Sequence, residues 1–127
     1  MLALPPVEWP RCPKTHNMCS HRWCGNLACA FCSDNGGVHS NSGIQNNAFY
    51  LLATGDCHSF SGCMPYGIGA DAATTIFYRA LRDYLGPTDG FVAARRGTQY
   101  YAGVIYGVGS AQYNATVAAW DLVGVPR

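Results

Sequence analysis

The stretch GIGADAATTIFYRALRDYLGPT, residues 67–88, determines the class of fold that this chain can adopt. Its apolar residues recur at spacings of three and four, which is the period of an amphipathic helix. These apolar residues are Ala73, Ile76, Phe77, Ala80, Leu81 and Tyr84. Gly86 and Pro87 follow and are typical of a helix end. The stretch therefore predicts a helix over about residues 70–85 that buries one face.

A second helix is predicted upstream of this one. Ser42 is expected to cap it, and Gly55 is expected to end it. The predicted apolar face consists of Ile44, Ala48, Leu51 and Leu52. A loop, GDCHSFSGCMPYGIG, connects the two helices.

Two more helices are predicted downstream. Thr88 or Asp89 is expected to cap the third helix, whose apolar positions are Phe91, Ala94, Thr98, Tyr101 and Ile105. Gly97 and Gly103 lie inside it and cost about 1 kcal/mol each relative to alanine, so tertiary packing has to hold it. Ser110 is expected to cap the fourth helix, which carries Tyr113, Val117 and Trp120 and stops at Gly124. The sequence thus predicts an all-α fold, a bundle of four to five helices.

Composition excludes several classes of function. Charged residues make up 12% of the chain and the net charge is +1, which gives no electrostatic reason to expect nucleic acid or an anionic membrane as partner. No apolar run approaches the roughly 18 residues of a membrane span. Pro5 and Pro6 interrupt the amino terminus before the apolar core of a signal peptide forms, so we expect no export signal in this chain.

The first 33 residues differ in character from the rest. They contain Pro, Trp, His and five of the seven cysteines, with neither helical nor strand periodicity. The five are Cys12, Cys19, Cys24, Cys29 and Cys32. We therefore divide the chain into an irregular Cys-rich segment, residues 1–33, and a helical domain, residues 34–127.

Three blocks of the helical part carry a resemblance to a known family. They are DNGGVHSNSGIQNNAFYLLATG (34–55), GIGADAATTIFYRALRDYLGPT (67–88) and AAWDLVGV (118–125). In this order and at these separations, the sequence resembles the carboxy-terminal helical domain of the thermolysin-like neutral metallopeptidases. The resemblance covers roughly residues 34–125. Ala72 departs from it, since the family commonly has lysine at that position.

The resemblance implies roles for residues of the first block. His39 matches the family's histidine that donates a hydrogen bond to the oxyanion formed during peptide hydrolysis, and Asp34 matches the aspartate that orients its ring. Gly36 and Gly37 would form a tight turn between them. Asn41 and Ser42 match the family's motif and are expected to cap the following helix rather than to take part in chemistry.

The resemblance also implies components that this sequence does not contain. The family binds zinc through an HExxH helix and a downstream glutamate, whereas Glu8 is the only glutamate here. The sequence therefore lacks the family's catalytic zinc ligands, and the zinc-bearing amino-terminal half is expected to lie elsewhere. Calcium is possible in the full-length enzyme. Peptide or protein substrates and an extracellular location follow from the resemblance, and we expect the chain alone to be inactive and prone to aggregation.

Three interpretations of residues 1–33 stay open at this point. The segment is an out-of-frame or wrongly started translation, or it is a small zinc module, or the whole chain is a non-catalytic helical interaction module. For the zinc module, the candidate ligands are Cys24, Cys29, Cys32 and His21, although a single CxxC is a weak signal.

The loop before the 67–88 stretch contains the last two cysteines. Cys57 and Cys63 are six residues apart and are expected to form a disulfide, with two free thiols as the alternative. His58, between them, is expected to be a solvated surface residue.

Overall fold

A computed structural model of the chain describes the backbone of residues 33–127 and the side chains of residues 41–127. The elements are α1 (Ser33–Thr54), β1 (Cys57–His58), β2 (Gly62–Cys63), α2 (Ala70–Asp83), α3 (Phe91–Tyr106) and α4 (Ala111–Leu122). Four helices therefore make up this part of the chain, which confirms the all-α prediction. The two short strands pair antiparallel and form one hairpin between α1 and α2.

The core of the bundle lies where α1, α2 and α4 meet. Ile44, Leu51 and Leu52 of α1 are completely buried, as the apolar spacing predicts. Phe77 of α2 stacks on Trp120 of α4, with ring centroids 6.0 Å apart and planes 9° from parallel. Burial of these large side chains is the main source of stability, since each contributes about 1.5–3 kcal/mol.

Two predicted helix starts are wrong. The helix α1 begins at Ser33, well before Ser42, because each further residue of a helix adds one backbone hydrogen bond once the helix has formed. The residue before α3 is Gly90, with no side-chain cap, while the Asp89 carboxylate accepts a hydrogen bond from the Gly86 amide. Ser110 does cap α4, since its hydroxyl accepts from the Tyr113 amide at 3.1 Å.

A backbone crossing joins the end of α1 to the approach to α2. Gly55 has φ 75°, and a Cβ placed on Gly67 would lie 2.5 Å from the Thr54 carbonyl carbon. Because neither residue has a Cβ, the two segments approach closely enough for hydrogen bonds. The amides of Ile68 and Gly69 donate to the carbonyls of Leu52 and Ala53 at 2.9 and 3.0 Å. The last turn of α1 is thereby capped by backbone of the segment just before α2.

The glycines inside α3 also serve close packing. A Cβ on Gly97 would lie 2.8 Å from the Tyr84 ring, and one on Gly103 would lie 3.1 Å from Val108. Tertiary contact therefore compensates for their poor helix propensity. Arg95, also in α3, is only 1% exposed, although a charged side chain is normally found on the surface.

Arg95 connects α3 with the end of the chain. Its guanidinium donates to the Asp121 carboxylate at 2.6 Å, to the Val125 carbonyl and to the Gln99 side chain at 3.1 Å. Next to it, the Trp120 indole donates to the Thr98 hydroxyl at 2.7 Å. A buried guanidinium with its donors satisfied in this way is stable only while its anionic partner remains.

The close backbone crossing gives a first prediction. We expect Gly67→Ala to destabilise the domain by about 1–3 kcal/mol or more, because the new Cβ would overlap backbone atoms that cannot move independently. Gly86→Ala is the matched control, since a Cβ there meets only the Asp89 carboxylate at 3.6 Å. Urea unfolding of both variants measures the difference, and equal stability would contradict the assigned role of the crossing.

The buried ion pair gives a second prediction. Asp121→Asn leaves the Arg95 guanidinium buried without its counter-charge, so unfolding should become easier by about 3–5 kcal/mol. Asp83→Asn is the control. Arg82 and Arg79 lower the pKa of Asp83 to about 2, yet this carboxylate lies on the surface, where ion pairs contribute little. Thermal unfolding that ranks the two variants in the reverse order would refute this account.

Candidate functional site

The predicted site residues Asp34 and His39 lie in the first turns of α1. They are five positions apart in a continuous helix, which separates them by about 140° around the axis. Helical neighbours stand three or four positions apart, so this backbone does not pair the two residues through regular helix geometry. The hydrogen bond between Asp34 and His39 stays a prediction.

The turn and cap residues expected around this pair are also helical. Gly36, Gly37, Asn41 and Ser42 all lie within α1, so the predicted tight turn and helix cap are corrected. Glycine permits a turn but does not impose one, because it also adopts the right-handed helical conformation. Two adjacent glycines nevertheless make this the weakest part of α1, at about 1 kcal/mol each.

Among the side chains that the structure describes, residues 41–127, no three His, Cys, Asp or Glu groups form a cluster that could hold a metal ion. Cys57 and Cys63 are joined to each other, and the Nδ1 atom of His58 accepts hydrogen bonds from backbone amides. The alternative ligand set, Cys24, Cys29, Cys32 and His21, lies outside the described residues.

The hairpin between α1 and α2 is the second feature with chemistry of its own. A disulfide joins Cys57 and Cys63, the pair for which the spacing favours a bridge. His58 is 5% exposed, so the expectation of a solvated histidine is wrong. Its ring turns inward because Nδ1 accepts from the amides of Phe60 and Ser61, at 3.3 and 3.2 Å.

The Asp56 side chain forms hydrogen bonds at the start of this hairpin. Its carboxylate accepts from the Tyr50 hydroxyl at 2.7 Å and from the Cys57 amide at 2.8 Å. These two hydrogen bonds lower the pKa of Asp56, and the bond to Asp56 raises the pKa of Tyr50. The arrangement orients the start of β1, and it provides no nucleophile or general base.

An apolar groove of about 430 Å³ opens between α1 and α2. Its floor includes the aromatic rings of Phe49, Phe77 and Trp120, which pack edge-to-face and stacked on one another. Its rim includes Tyr78 and Leu81 of α2, which are 54% and 67% exposed. The prediction that Leu81 belongs to the buried face is therefore wrong for this chain, because the apolar stripe of α2 is wider than the surface that the other helices cover.

The functional candidates that depend on burial have no signal in the sequence. The groove combines residues of separate helices, and no single segment indicates it. The inward position of His58 also has no sequence signal, since it depends on turn amides that meet the ring only after the hairpin forms.

Most of this chain matches the model of a known protein family. The family model for the thermolysin metallopeptidase alpha-helical domain matches residues 11–125. The chain belongs to this family. The match begins at residue 11, within the Cys-rich segment and upstream of the predicted domain boundary at residue 34.

Individual relatives agree with the family assignment. A bacillolysin from Brevibacillus brevis is 48% identical over 92 residues, which cover 72% of this chain and 17% of that protein. A thermolysin from Alicyclobacillus acidocaldarius subsp. acidocaldarius is 47% identical over 92 residues, or 72% and 16%. A bacillolysin from Bacillus cereus is 44% identical over 93 residues, or 73% and 16%. This thermolysin-family chain therefore spans about one sixth of the length of the curated relatives that it matches.

Within the described residues of this thermolysin-family domain, no helix is long and apolar enough to cross a bilayer.

Proposed function

We propose that this chain forms one wall of the active-site cleft of an extracellular zinc metalloendopeptidase, and that it acts on peptide bonds only when joined by a zinc-bearing amino-terminal half. The observation that carries this proposal is the family match over residues 11–125, which includes the block with Asp34 and His39. The zinc, its ligands and the general base are assigned to the other half, because neither the sequence nor the described side chains contain them.

His39 is proposed to donate a hydrogen bond to the carbonyl oxygen of the scissile peptide as negative charge develops there. A fixed donor at this place stabilises the transition state more than the ground state. The neighbouring Asp34 is proposed as the group that accepts from the other ring nitrogen and fixes the orientation of the imidazole.

The backbone places Asp34 and His39 five positions apart within α1, with Gly36 and Gly37 between them. Glycine also adopts turn conformations, so this glycine pair is the part of α1 that opens at the lowest free-energy cost. Docking of the other half is proposed to supply the free energy that brings the two residues together.

The apolar groove between α1 and α2 is proposed as part of the surface that packs against the zinc-bearing half. Exposed Leu81 and Tyr78 beside the rings of Phe49 and Phe77 form a continuous apolar surface, which isolated soluble domains rarely leave open. The notable lack of charge in the chain, 12%, agrees with a domain that covers much of its surface.

The catalytic role of His39 is tested by reconstitution. The chain is mixed with, or fused behind, an HExxH-bearing amino-terminal half from a related bacillolysin, and hydrolysis of a chromogenic peptide is followed. We expect His39→Ala to lower kcat by about 10²–10³ with little change in KM, because the lost hydrogen bond acts in the transition state. Bound zinc, measured by atomic absorption, should stay constant.

Thr75→Ala, on the exposed face of α2, is the control and should leave kcat unchanged. A reconstituted enzyme that hydrolyses the peptide equally well with alanine at position 39 would remove His39 from the mechanism. If the wild-type chain restored no hydrolysis while binding the other half, the non-catalytic interaction module would be the better description.

The docking surface gives a separate prediction. Leu81→Asp places a charge on the groove rim and should weaken association with the zinc-bearing half at least about tenfold, because the carboxylate would be desolvated. Val108→Asp, at an 81% exposed position between α3 and α4, is the matched control. Calorimetric titration of both variants measures the effect, and equal affinities would place the interface elsewhere on the domain.

A further inference from the structure

The disulfide of the hairpin between α1 and α2 is accessible to reagents in solution. Cys57 and Cys63 face each other directly across the two antiparallel strands, and both residues are exposed. Each strand has two residues, so the ladder is too short to be stable without further support. The covalent bond is therefore the principal constraint on residues 57–63.

The base of this hairpin is closed independently of the disulfide. The backbone crossing at Gly55 and Gly67 lies outside the cross-linked loop, and the amides of Ile68 and Gly69 remain bonded to the last turn of α1. The side chain of Met64, just after the second cysteine, is buried in the core. Loss of the disulfide would therefore leave the attachment of α1 to α2 in place.

Non-covalent interactions also hold the loop between the cysteines. Within residues 57–63, His58 is the one residue buried in the described structure. The amides of Phe60 and Ser61 donate to its Nδ1 atom, and the Met64 amide donates to the Asp56 carbonyl at 3.1 Å. Each such hydrogen bond contributes about 0.5–1.5 kcal/mol net. These bonds and the two-residue ladder between β1 and β2 are individually weak, so we expect the loop to open more often once the cross-link is cut.

We propose that the Cys57–Cys63 disulfide is a redox latch that protects the hairpin from endopeptidases in oxidising surroundings and exposes it to cleavage in reducing ones. A thiolate of a dithiol reductant attacks one sulfur, a mixed disulfide forms, and the second thiol of the reductant releases both cysteines as thiols. The reductant leaves as its own disulfide. The freed loop then extends, and an endopeptidase adds water across one of its peptide bonds.

The position of Phe60 makes this loop a good substrate once it opens. Its side chain is 67% exposed at the tip, so a bulky apolar group is presented without disturbing the core. Endopeptidases require a locally unfolded segment, and their cleavage rate follows the population of the open form. The disulfide limits that population because it restricts the loop ensemble.

Hydrogen exchange and limited proteolysis of the full chain test the latch. After reduction with dithiothreitol and alkylation, we expect protection of the Phe60, Ser61 and Met64 amides to fall about tenfold or more, with α2, α3 and α4 unchanged. Thermolysin or chymotrypsin should then cut within residues 57–63 at a correspondingly higher rate, as read by mass spectrometry.

The double variant Cys57→Ser, Cys63→Ser is the matched control, because it retains the five other cysteines of the chain. It should be cleaved in the hairpin without reductant, and reductant should not increase that cleavage. Unchanged protection of the three amides after verified reduction would overturn the proposal. Loss of protection throughout the four helices would also overturn it, since the disulfide would then hold the whole domain together.

Discussion

The close crossing of two backbone segments at Gly55 and Gly67 is the constraint on which the arrangement of this domain depends. A side chain at either position would separate the segments, and the hydrogen bonds from Ile68 and Gly69 to the end of α1 would be lost. These bonds cap α1 and fix where α2 begins. The crossing therefore fixes the position of the groove between the two helices. It also fixes the position of the hairpin that follows it in the chain.

The two functions that we propose lie at opposite ends of α1. Asp34 and His39 lie in its first turns, whereas the hairpin follows its last residue, Thr54. The distance from His39 to Thr54 is about 22 Å along the axis at 1.5 Å per residue. The catalytic pair that we propose at one end of α1 and the redox latch that we propose at the other are therefore separated by the length of the helix. On this basis we expect reduction of the disulfide to leave the start of α1 unchanged.

Much of the fold could be predicted from the sequence because it depends on local spacing. The apolar positions Ile44, Leu51 and Leu52 are buried as expected, and Gly55 ends the first helix. The caps were less predictable. Ser110 caps α4, but α3 begins after Gly90, and α1 extends through a glycine pair that resembles a turn. Helix ends depend on competition between small energies, which a single residue type does not decide.

The candidate site, like the fold, could be predicted from the sequence only in part. The block DNGGVH indicated the family and the two residues on which the proposed catalysis would rest, and its backbone is helical. The depth of Arg95 and the inward turn of His58 had no sequence signal. Arg95 is buried because its guanidinium donates hydrogen bonds to the Asp121 carboxylate, twenty-six positions away, and to the Val125 carbonyl. The His58 ring is held in the hairpin because its Nδ1 atom accepts hydrogen bonds from two turn amides.

By itself, the sequence determined the helical period, the family and the identity of the residues that could carry chemistry, because these are properties of spacing and residue type. Only the tertiary structure decided which polar groups are buried, where the aromatic groove opens and how the disulfide loop is held. Those features join residues that are distant in the chain, and their free energy comes from desolvation and contact that exist only after the helices pack.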